Sequence, residues 1–173
     1  MSDTTRLETT RAIAAPASEI FAILASPQGH VDIDSSGMLM SADGDSATAV
    51  GDTFVVHMDR EALNDYDLGL YDVTVRITVI EPDTEIAWTI EGAIDPPIGH
   101  VYGYRLTPVA DADLPDAVDG PVTMVTSYYD WSDIHPQWTE ADIFPILSEG
   151  ALRATLGILA RTVAPGRPRP LLG

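Results

Sequence analysis

The sequence predicts an α+β domain in which a strongly twisted antiparallel sheet curls around one long C-terminal helix and leaves a cavity between them. Three observations carry this expectation. Tyr71, Val73, Val75, Ile77 and Val79 alternate with Asp72, Thr74, Arg76 and Thr78, the period of a strand with one buried and one wet face. Turn-forming segments divide the middle of the chain into about five such strands, as in a meander. Finally, PILSEGALRATLGILARTV has helical spacing over an apolar arc so wide that it needs a large surface to lie against.

Residues 6–15 fit a strand ending at Pro16, and PASEIFAILAS then reads as a short helix. Pro16 suits its first turn, Ile20, Phe21, Ile23 and Leu24 form its apolar stripe, and Ser26, Pro27 and Gly29 stop it. Residues 41–52 are small, acidic and Gly-bearing, the composition of a loop. DTFVVHMD follows as a strand with Phe54, Val56 and Met58 on one side and Val55, His57 and Asp59 on the other. YDVTVRITVIE and IAWTIEG, joined by the turn EPDTE, form a hairpin over 70–91 that puts Ile86, Trp88 and Ile90 in phase.

HVYGYRLTPV is another strand, with His100, Tyr102, Tyr104 and Leu106 on one face and Gly103 marking a bend or bulge opposite them. After the acidic loop ADADLPDAVDG comes the strand PVTMVTSYYDW. In the terminal helix, Leu147, Ala151, Ala154 and Ile158 make one stripe and Leu152, Leu156, Leu159 and Val163 an adjacent one, with Glu149 and Arg153 paired outside. Residues 1–163 are thus expected to be one domain, and the Pro/Gly-punctuated 164–173 a flexible tail.

With no cysteine, disulfides, thiolate nucleophiles and Cys-rich metal or iron-sulfur sites are excluded. The formal net charge is -18 and every base is an arginine, so the surface repels phosphate backbones and anionic membranes, and nucleic acid is not an expected partner. The first dozen residues lack the apolar core of a secretory signal, and no run approaches the ~20 apolar residues of a membrane span, so a cytoplasmic protein without membrane insertion is expected. P-loop, G-x-G-x-x-G, G-x-S-x-G and HExxH patterns are lacking, so neither a cofactor nor a metal is expected. DIDSSGMLMSAD places Asp32, Asp34, Ser36 and Gly37 as a calcium loop would, but Asp43 stands where glutamate's reach is needed and flanking helices are not expected.

The chain resembles the helix-grip, START-like (Bet v 1-like) superfamily, also called SRPBCC, with its actinobacterial polyketide cyclase/dehydrase and lipid-transport members. The resemblance covers roughly residues 5–163. It is carried by the stretch Ile13 to Gly37, with its A-P-x-x-x-I-F-x-x-L, P-x-x-H and D-x-S-G spacings, by the Trp of IAWTI, and by TMVTSYYDWS before the last helix. It implies a hydrophobic or aromatic small molecule, lipid or polyketide-like, held between sheet and C-terminal helix. It also implies two alternatives: a cofactor-independent cyclase/dehydrase whose proton carriers would come from His100, Tyr102, Tyr104 and Asp130, or a co-chaperone-like interaction module docking through the acidic loop Asp111 to Asp119.

The expected ligand-binding residues are Met58, Trp88, His100, Tyr102, Tyr104, Tyr129 and Trp131. Tyrosine and tryptophan offer apolar area with one directional hydrogen bond. Core packing accounts for the same rings, and either face of strand 121–131 is open to the cavity on sequence grounds. The segment YYDWSDIHPQW reads first as the seam between strand and helix and second as a lip of the cavity. The oligomeric state, monomer or homodimer, stays open.

Overall fold

The computed structural model describes residues 4–116 and 118–172. Residues 1–3 of the expected domain, residue 117 of the acidic loop and residue 173 of the tail lie outside the described residues. The chain begins with β1 (Arg6–Ile13), α1 (Ala17–Ala25) and α2 (Pro27–Asp32). Five strands follow: β2 (Leu39–Asp43), β3 (Thr53–Asp59), β4 (Leu70–Glu81), β5 (Glu85–Gly92) and β6 (Val101–Pro108). Then come β7 (Thr123–Asp130), α3 (Pro136–Glu140) and α4 (Glu149–Val163).

All seven strands form one antiparallel sheet in the order β1-β7-β6-β5-β4-β3-β2. The alternation read from the sequence becomes the two faces of this sheet. Phe54, Val56, Val73, Val75, Ile77, Ile86 and Trp88 lie on the concave face and are buried with Ile20 and Leu24 of α1 and Leu156 and Leu159 of α4. Burying a leucine such as Leu156 or Leu159 contributes on the order of 1.5–3 kcal/mol, so these contacts seat α4 against the core.

Three elements depart from the sequence expectation. Ser26, Pro27 and Gly29 do end α1, but they also start α2: the Ser26 hydroxyl accepts from the Gly29 N–H, and Pro27 takes the N-terminal position that needs no amide hydrogen. A Cβ on Gly29 would sit 1.9 Å from the Ile23 carbonyl oxygen, so only glycine lets the two helices meet this closely. Part of the expected loop 41–52 is β2, an edge strand whose burial does not alternate and which therefore carries no periodic signal. The third is α3, a five-residue helix capped by His135, whose ring accepts from the Gln137 N–H.

The strand 121–131 points Val125, Ser127 and Tyr129 inward and Tyr128 and Asp130 outward, in register with inward Tyr102, Tyr104 and Leu106. On the convex face the Tyr128 ring lies across Gly103, where an added Cβ would come within 2.2 Å of the ring. Arg6 stacks on that ring at 4.1 Å, and the Tyr128 hydroxyl donates to Glu85 at 2.8 Å. Gly103 is therefore the seat of an aromatic plate.

After β7, YYDWSDIHPQW is the seam: Trp131 donates its N–H to Thr5, and Trp138 Nε1 donates to the Pro96 carbonyl at 2.9 Å. Beyond α4, Arg167 donates to the carbonyls of Ala14 and Asp119. Among the described residues no helix is long and apolar enough to cross a membrane.

Gly103→Ala should cost about 1–3 kcal/mol in urea denaturation, because the new methyl displaces the Tyr128 ring. In a Tyr128→Leu background the cost should shrink. A second expectation concerns His57, which holds Asp72 by Nδ1 and Asp43 by Nε2, both at 2.7 Å, across β4, β3 and β2. The hydrogen bonds to Asp43 and Asp72 raise its pKa, so the clasp stabilises fully below the ordinary value of 6.5 and is lost as pH rises through the folded-state value. The stability gap between the natural protein and His57→Gln should be larger at pH 6 than at pH 9.

Candidate functional site

Between the concave face and α4 lies a cavity of about 330 Å³. Its floor is made by cross-strand neighbours: Trp88 of β5 opposite Tyr102 of β6, with Tyr104 two residues further on. Trp88 lies nearly parallel to both, at 6.4 Å and 18° to Tyr102 and 5.9 Å and 23° to Tyr104. The three rings form one stacked aromatic group. Val56, Met58, Val73, Val75 and Ile90 extend it across β3, β4 and β5. The roof is narrower, with Ala151, Leu152, Ala154 and Thr155 of α4 and Leu147 before it.

One end wall comes from α2 and the turn after it. His30 stands 4.4 Å from Trp88 and edge-on to Phe54 at 4.9 Å. Its Nε2 lies 2.8 Å from the Leu24 carbonyl, which can only accept, so Nε2 carries the proton. Burial pushes the His30 pKa down to about 4, which keeps the ring neutral near pH 7.

The letters that imitate a calcium loop serve this wall instead. Asp34 accepts from the Ser36 N–H and hydroxyl through one oxygen and from the Leu39 N–H through the other, closing a turn that lays Met38 and Leu39 along the cavity. Among the described residues, no group of three or more histidine, aspartate or glutamate side chains is placed to hold a metal ion.

A second aromatic cluster continues past Tyr102. Tyr129 is fully buried, 5.0 Å from Tyr102 and 5.3 Å from Trp131, and its hydroxyl lies 3.0 Å from His100 Nδ1. Burial lowers the His100 pKa to about 4 and raises that of Tyr129, so this pair is neutral at pH 7. Tyr104 is likewise pushed up to about 12 by burial.

Of the residues named from the sequence, Met58, Trp88, Tyr102 and Tyr104 line the cavity together. His100, Tyr129 and Trp131 stand in the second cluster, joined to the cavity through the Tyr102 ring that His100 and Tyr129 pack against, with Trp131 stacked on Tyr129. Asp130 is on the convex side, bonded to Ser132 and Arg6. Burial alone would raise its carboxyl, but those bonds hold it below the usual value. Sequence reasoning missed His30, Ile33, Asp34, Met38 and Thr155. For His30 a signal existed in the P-x-x-H spacing after α1, but nothing local shows that α2 folds back over Trp88.

The same arrangement of sheet and helix is found in solved structures. Norcoclaurine synthase from Thalictrum flavum, a point mutant in complex with a transition-state analogue, is 13% identical and superposes with a TM-score of 0.52, covering 91% of this chain and 92% of that one. The chain has the helix-grip, START-like fold. A second helix-grip structure, the Aha1 dimer from Colwellia psychrerythraea, is 15% identical with a TM-score of 0.56 over 95% of this chain and 100% of that one. A third, Ms6760 from Mycobacterium smegmatis, is 17% identical with a TM-score of 0.56 over 94% and 90%.

No protein-family model matches the sequence. Among curated proteins, the uncharacterized protein Rv0088 of Mycobacterium tuberculosis is 26% identical over 161 residues, covering 90% of this chain. The helix-grip chain spans 62% of that relative's length.

The histidines should separate in an NMR titration. His30 and His100 are expected to stay neutral down to about pH 5, because burial lowers both to about 4, whereas His57 should titrate above 6.5. Since His30 and His100 take up protons later than the unfolded chain does, stability should fall as pH drops below about 6.5 toward 4.

Proposed function

We propose that this chain binds a hydrophobic or aromatic small molecule in the cavity between its sheet and α4. The observation that carries the reading is the cavity itself, about 330 Å³ and lined mainly by apolar and aromatic side chains. That volume is within the ~300–1,000 Å³ typical of small-molecule sites. On this reading residues 1–163 form one binding domain and 164–173 a tail.

The polar groups favour binding over turnover. A cyclase or dehydrase needs two proton-moving groups facing one reacting centre. Here Tyr102 and Tyr104 line the cavity, but burial pushes both hydroxyls up, Tyr104 to about 12, so they keep their protons. Asp130 faces the opposite side of the sheet, and His100 is spent on Tyr129 outside the lining. The open interior supports a ligand site over an interaction module with a filled one.

N-phenyl-1-naphthylamine, an uncharged dye that brightens in apolar surroundings, should bind saturably to the natural protein. Ala151→Trp, which fills the cavity from the roof, should weaken that binding at least about tenfold while leaving the circular dichroism spectrum unchanged. No saturable binding, or equal binding by the filled variant, would remove the cavity from the account.

A further inference from the structure

We infer that the cavity selects a small, flat, uncharged aromatic molecule carrying a hydrogen-bond donor, and that His30 Nδ1 is the acceptor that recognises it. The inference rests on the binding reading above and narrows its ligand class by shape, by charge and by one directional contact.

Shape follows from floor and roof. Trp88 stacks at 18° to Tyr102 and 23° to Tyr104, and the alanines at 151 and 154 line the opposite side from α4. A slot lined by aromatic rings opposite small alanines favours a flat aromatic guest. The volume, about 330 Å³, is near the bottom of the usual range and suits two or three fused rings better than a long acyl chain.

Charge follows from the ionisable groups around the slot. Asp34 is the one acidic residue in the lining among the described residues, and three donors already occupy its two oxygens. The nearby Arg60 guanidinium is bound to both oxygens of Asp65, at 2.8 and 2.7 Å, outside the lining. A charged guest would leave water and find no counter-ion, a penalty an uncharged guest avoids.

The directional contact follows from the His30 tautomer. With Nε2–H given to Leu24, the neutral ring presents Nδ1 as a bare acceptor. The fully buried side-chain polar atoms without a partner among the described residues are Arg11 Nε and Thr78 Oγ1. His30 itself lines the cavity and is only 6% exposed, and its recorded side-chain bond uses Nε2, which leaves Nδ1 for a guest. A guest with an O–H or N–H satisfies it; a guest without one leaves it desolvated and unpaired.

The test uses four naphthalenes competed against N-phenyl-1-naphthylamine at pH 7. 2-Naphthol should bind about tenfold tighter than 2-methoxynaphthalene, which has nearly the same shape but no donor. It should exceed the anionic 2-naphthoate by at least as much. In His30→Phe the naphthol advantage should vanish while unsubstituted naphthalene still binds. Equal affinities for 2-naphthol and 2-methoxynaphthalene in the natural protein, an advantage that survives His30→Phe, or tight binding of 2-naphthoate would overturn the inference. The comparison within the natural protein stands even if the variant fails to fold. Binding of naphthalene without a preference for 2-naphthol sinks this inference alone, whereas binding of none of the four sinks the cavity reading with it.

Discussion

The structure depends on a mismatch of widths. Seven strands spaced ~4.8 Å apart span about 29 Å, whereas one α-helix with its side chains is ~10–12 Å across. A single helix cannot cover such a sheet. Here α4 is seated toward β1 and β7 through Leu156 and Leu159, and α1 and α2 cover another part of the concave face through Ile20, Leu24 and His30. What remains open is the part of the middle of the face, over β4, β5 and β6, that lies beyond the contact of α1 with β5 and β6. The cavity is the space left between these covers and the sheet.

That geometry explains why aromatic rings collect at the centre. A residue on the concave face of β5 or β6 has a cross-strand partner beside it, and the large rings here stack against one another. Trp88 and Tyr102 are such a pair, and Tyr129 continues the row on β7. The polar atoms on the inner side are held neutral by the same burial that makes the cavity apolar: both buried histidines titrate well below their usual value, and the buried tyrosines well above theirs. Paired charges sit on the rim or the convex side, where Arg60 meets Asp65 and Arg6 meets Asp130, while Arg11 of β1 reaches beside Gly157 of α4. A chain with a formal charge of -18 thus encloses an interior with little charge of its own.

How far this was legible in the sequence follows from the range of the interactions. β4 announced itself because Val73, Val75 and Ile77 alternate with polar residues, and a half-buried strand needs no distant partner to show that pattern. β2 carried no pattern, because an edge strand with mostly exposed side chains has no face to encode. α2 was hidden by its own start signal: Pro27 ends one helix and begins another, and only the Gly29 contact with Ile23 distinguishes the two. The floor of the site could be read from strand phase, which brought Met58, Trp88, Tyr102 and Tyr104 forward. The end wall could not, because His30 reaches Trp88 only after α2 folds across the sheet. Phase left the inner face of strand 121–131, and so Tyr129 and Trp131, undecided, and it does not say how far along a strand the cavity extends beyond His100.

The central claim is that the space between the aromatic floor and α4 is open and apolar. Crystals held under xenon pressure test it most directly, since xenon enters dry apolar cavities of this kind. The account predicts a xenon site between the Trp88 and Tyr102 rings and Ala151. No xenon there, with Leu152 and Met38 packed down onto Trp88 and the space filled by the protein's own side chains, would contradict it.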